Sequence, residues 1–95
     1  MKEVKHYING QYVGSASGRM FDNINPATGE VISRVHEAGE AEVDAAVQAA
    51  RAALKGPWSK MTLDERSKIL HAVADSINAR FDEFLEAECA DTGKP

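Results

Sequence analysis

The 95-residue sequence predicts a mixed α/β chain in which a β-hairpin and short strands come first and three helices follow. Three observations carry that reading. Asn9-Gly10 stands between two β-prone runs, His6 to Ile8 and Gln11 to Val13, and a type I′ turn needs positive φ at both central positions. Near Gly39 the apolar period changes from about two residues to about 3.6, the step from strand to helix. Turn and capping residues then fall where those segments should begin and end. The division is residues 1–38 as strands and turns and residues 39–95 as helices.

After the hairpin, Gly14-Ser15-Ala16-Ser17-Gly18 reads as a flexible loop, and Met20 to Ile24 as an extended segment halted by Asn25-Pro26-Ala27-Thr28-Gly29. The proline biases Asn25 away from helix, and Gly29 supplies a left-handed position. Val31 to His36 is rich in β-branched residues and reads as a further strand, which makes two strand pairs. In the helical half, Val43, Ala46, Val47, Ala50, Ala53 and Leu54 form one stripe, its alanines pointing to close packing on another helix. Glu40, Glu42 and Asp44 suit the positive end of its dipole, and Gly56-Pro57 ends it. Thr62-Leu63-Asp64-Glu65 is a capping box for a second helix with Ile69, Leu70, Val73 and Ile77 on one face. A third helix carries Phe81, Phe84 and Leu85, and Gly93 and Pro95 stop it. Three one-sided helices need more platform than such short strands offer, so the chain is expected to be the opening of something longer.

Composition narrows the function. A net charge of −4 with scattered Lys and Arg argues against nucleic acid as a partner, and no run approaches the roughly 20 apolar residues of a membrane span. One cysteine and an N-terminus without an apolar run fit a reducing cytoplasm. His6, His36, His71 and Cys89 lack metal-ligand spacing, and ordinary surface or half-buried positions account for the histidines. Cys89 is a poor nucleophile, since Glu86, Glu88, Asp91 and the helix C-terminus all disfavour a thiolate. No Gly-rich phosphate cradle is present. The acidic runs read as solvated helix faces, and Trp58 as a cover for the joint between the first two helices. No catalytic residue is assigned within these residues.

Several segments in register carry a family resemblance. Tyr7 to Val13, Phe21 through Asn25-Pro26-Ala27-Thr28-Gly29-Glu30-Val31-Ile32, Val43 to Arg51, Pro57-Trp58, Asp64 to Leu70, and Glu88 to Pro95 closely resemble the N-terminus of NAD(P)-dependent aldehyde dehydrogenases. Within that family, Val13 to Arg19, Val35 to Gly39 and Ala53 to Trp58 look most like hydroxymuconic semialdehyde dehydrogenases of bacterial aromatic catabolism. The resemblance implies part of the aldehyde dehydrogenase fold and oxidation of an aldehyde, such as 2-hydroxymuconic semialdehyde, to a carboxylic acid with NAD or NADP. It implies a cysteine nucleophile, a glutamate base and a cofactor loop in polypeptide beyond these residues, so this chain alone is expected to be inactive and to bind no cofactor. It also implies homo-oligomers, packing against the rest of the enzyme chain, and backbone carbonyls of Ile24 and Asp91 as ligands of a structural sodium or potassium ion. The competing expectation is a stand-alone interaction or regulatory module descended from the same segment.

Overall fold

Residues 2–95 are described by a computed structural model. The hairpin forms where Asn9-Gly10 dictates it: β2 (His6–Ile8) and β3 (Gln11–Val13) pair antiparallel, with φ of 52° at Asn9 and 77° at Gly10. β4 (Met20–Ile24) and β5 (Val31–His36) pair antiparallel in a second sheet. Their connection is fixed by its own side chains, Asn25 Oδ1 accepting from the Ala27 amide and Thr28 Oγ1 from the Glu30 amide. The expected two strand pairs are thus present, but the second is a three-stranded sheet of order β1-β5-β4. Its extra member is β1 (Lys2–Val4), parallel to β5, which no alternation in Lys2-Glu3-Val4 announces. β5 lies in the centre of that sheet and is its most shielded strand, Ser33 retaining only 6% exposure.

Helix α1 (Glu40–Ala53) starts at Gly39, whose amide donates to Glu42 Oε1 at 3.1 Å. Its small residues bring it against the hairpin, with Ala46, Ala49, Ala50 and Ala53 facing Tyr7, Ile8 and Asn9 across a shallow cleft. The expected helical neighbour is therefore replaced by a strand pair. A 3₁₀ turn, Pro57–Lys60, follows. Its Trp58 meets α2 (Leu63–Ala79) through Arg66, which lies 5.4 Å from the ring centre and donates to the Trp58 carbonyl. Thr62 caps α2 by accepting from the Glu65 amide at 3.2 Å, a contact of the kind that stabilises a helix by about 1 kcal/mol. The reciprocal Glu65 contact of the expected capping box is not among the hydrogen bonds at this terminus. Helix α3 (Phe81–Thr92) ends on Gly93 with φ of 76°.

No hydrophobic side chain in the described residues is buried. Leu70, Val73 and Phe81 are each at least half exposed, and α2 and α3 leave an apolar groove between them lined by Ile69, Val73, Ile77 and Phe84. The radius of gyration is 16.9 Å, against about 12 Å for a compact domain of this length. The accessible surface is 7677 Å², against roughly 5400 Å² for a folded monomer of this mass.

Candidate functional site

The residues around the two expected ion ligands come together at one corner, where the end of β4 faces the end of α3. Asn23 Nδ2 donates to Asp91 Oδ1 at 2.9 Å, tying the residue before Ile24 to Asp91 across 68 positions of sequence. Behind that bond Gly93 presses on the turn after β4, so closely that a Cβ there would stand 2.9 Å from Pro26 Cγ and 3.1 Å from the Ala27 nitrogen. The β4–β5 register shifts between Asn23 and Ile24, interrupting the ladder. The residue four beyond Asp91 is Pro95, which has no N–H to return to the last turn of α3. Asp91 thus lies in the last turn of α3, at the negative end of that helix.

The groove between the sheet and α3 has a volume of about 720 Å³, and its lining includes Lys2, Ser33, Glu83, Glu86, Glu88 and Asp91. Arg80 makes two hydrogen bonds to Glu83 at 2.8 and 3.0 Å. Through that bond and its charge, the guanidinium holds the Glu83 carboxyl below the usual carboxylate range and Glu83 raises Arg80 in return. The pair's stabilisation is present above the unfolded carboxylate range and fades as pH falls through the depressed value; full exposure keeps it small. Four carboxylates against Lys2 and Arg80 leave the lining net negative.

The remaining candidates separate. His71 is exposed on α2, and Cys89 is half-buried on α3. His6 begins β2, and its ring lies 6.5 Å from that of His36 in an edge-to-face arrangement. Ser15 stands between them. His6 Nε2 is 3.1 Å from Ser15 Oγ, the Ser15 amide donates to His36 Nδ1 at 3.1 Å, and Ser15 Oγ donates to the Glu37 carbonyl. Glu3 Oε2 lies 3.3 Å from His36 Nε2. Sequence reasoning missed this network, because the pairing of β1 with β5 that delivers Glu3 has no local signal.

The order of strands and helices and the Asn25-to-Gly29 turn agree with the aldehyde dehydrogenase resemblance. The family model for aldehyde dehydrogenases matches residues 12–95, and the chain belongs to that family. Over 95 residues it is 77% identical to a 2-hydroxymuconic semialdehyde dehydrogenase of Pseudomonas sp. (strain CF600), covering 100% of this chain and 20% of that protein. It is 47% identical over 96 residues to aldehyde dehydrogenase 1 of Tanacetum cinerariifolium, covering 100% of this chain and 19% of the relative. Among solved structures, an NAD+ complex of aldehyde dehydrogenase from Bacillus cereus superposes with a TM-score of 0.93 at 43% identity, over 99% of this chain and 19% of that one. The chain thus spans about a fifth of the length of the curated relatives it matches. The fold is the N-terminal part of the aldehyde dehydrogenase fold.

Proposed function

We propose that this chain is the N-terminal segment of an aldehyde dehydrogenase that oxidises 2-hydroxymuconic semialdehyde to its carboxylic acid with NAD or NADP, in a reducing cytoplasm, as a homo-oligomer. The observation that carries this reading is the 77% identity to an enzyme of that name across the whole chain. The NAD+ complex among the structural relatives favours NAD. In this reading residues 1–38 and 39–95 form one packing unit. Its striped helices lie on the rest of the enzyme chain, which holds the nucleophile, the base and the cofactor. The test is to express the reading frame together with whatever coding sequence continues it, and to follow nicotinamide reduction with 2-hydroxymuconic semialdehyde. Turnover of that aldehyde, and faster reduction with NAD than with NADP, is the expected result. Failure to oxidise any aldehyde favours the stand-alone module.

The carbonyls of Ile24 and Asp91 belong to the same proposal as ligands of a structural sodium or potassium ion, with a further ligand from later polypeptide. Replacing sodium and potassium by tetramethylammonium at constant ionic strength is expected to lower the melting temperature of the full polypeptide by about 2–4 °C, the shift of roughly one lost kcal/mol in a larger domain. An unchanged melting temperature counts against the ion. Asp91→Asn, which keeps the backbone carbonyl, is expected to retain the response.

A further inference from the structure

We propose that the network of Glu3, His6, Ser15 and His36 is a pH-responsive latch, holding the loop of residues 14–18 and the β2–β3 hairpin to the three-stranded sheet while His36 is neutral. Among the described residues, the side-chain hydrogen bonds that join the hairpin half to that sheet run through Ser15. The proton positions follow from the donors. A backbone N–H can only donate, so His36 Nδ1, which receives the Ser15 amide at 3.1 Å, carries a lone pair. The ring proton is then on Nε2, facing the Glu3 carboxylate at 3.3 Å. The Ser15 hydroxyl spends its only proton on the Glu37 carbonyl, so it receives the proton of His6 Nε2.

The two histidines therefore respond differently to acid. Protonating His6 at Nδ1 leaves its Nε2–H bond to Ser15 intact. Protonating His36 at Nδ1 sets two N–H groups against each other, while the imidazolium gains an ion pair with Glu3. Neutral His36 bridges loop and β1; charged His36 keeps β1 and loses the Ser15 amide, which leaves the Ser15 hydroxyl's bond to the Glu37 carbonyl as the loop's remaining side-chain tie to the sheet. The titratable side chains facing it are Glu3 on β1 and His6 on β2, and its uncharged neighbours are Gly14 and Ser15 in the loop and Met20 across the β4–β5 ladder. Its side chain is only 11% exposed, and a Cβ on Gly14 would come within 3.1 Å of its ring, so the imidazole has little room to swing aside.

Hydrogen exchange of the full polypeptide, read at single-residue resolution between about pH 8 and about pH 5, tests the latch. After correction for the intrinsic pH dependence of exchange, protection of the Ser15 amide is expected to fall about tenfold, the effect of one lost hydrogen bond. In His36→Asn, whose Oδ1 offers an acceptor that does not titrate, protection is expected to stay level. Ser15→Ala keeps the amide and should keep the pH response. A flat profile in the unmodified protein, the same fall in His36→Asn, or loss of the response in Ser15→Ala overturns the proposal.

Discussion

Purified by itself, the 95-residue chain is expected to unfold over a broad temperature range or to self-associate, and to reduce no nicotinamide with any aldehyde. The cause is the unpartnered apolar surface. Leu54 is 74% exposed, Leu63 86% and Leu70 63%, and no hydrophobic side chain in the described residues is buried. Burial contributes roughly 25 cal/mol per Å² of apolar area, and the excess of accessible surface over a compact monomer shows how much of that term is missing. A cooperative domain of about 100 residues unfolds with an enthalpy of about 60–80 kcal/mol, and the apparent van't Hoff value for this chain is expected to be less than half of that. Circular dichroism melts and sedimentation velocity provide the check. A sharp, concentration-independent transition from a monomer would show that the helix stripes need no further polypeptide.

The second large effect is expected at Gly93. Gly93→Ala forces an L residue into φ of 76°, which costs about 1–2 kcal/mol. It also drives a Cβ to 2.9 Å from Pro26 Cγ and 3.1 Å from the Ala27 nitrogen, where a backbone atom and a proline ring cannot step aside cheaply. The α3 terminus must therefore withdraw from the turn after β4, with the Asn23–Asp91 hydrogen bond. A total loss of about 3 kcal/mol or more is expected in the full polypeptide, read from the chemical denaturation midpoint. Gly10→Ala is the control. Its φ of 77° is within a degree of that at Gly93 but a Cβ there meets open space, so only the conformational cost remains. Equal losses at the two positions would show that the contact of α3 with the turn contributes nothing.

The features legible in the sequence are those decided within a few residues. Asn9-Gly10 set a hairpin because few other pairs accept positive φ twice, and Thr62 and Gly93 mark helix ends because they satisfy or terminate orphan backbone groups. The features that escaped depend on distant partners. β1 is a strand only because β5 gives its three residues a parallel ladder, and the α1 alanines face a hairpin because the chain doubles back over them. The two candidate sites divide the same way. Ile24 and Asp91 came from family resemblance alone; no spacing rule links them, and the Asn23–Asp91 bond became visible only in three dimensions. The separation of 30 residues between His6 and His36 gives no metal-ligand spacing, and nothing local foretells that Ser15 stands between them.

The register that aligns Lys2 with Ser33, Glu3 with Arg34 and Val4 with Val35 has a consequence for synthesis. A ribosome delivers these residues before β4 and β5, so their hydrogen-bonding partners emerge about thirty residues later, and β4 can zip onto β5 through a short connection as soon as both are out. Strand β1 has no partner until β5 has emerged, and it is expected to be the last piece of that sheet to find its seat.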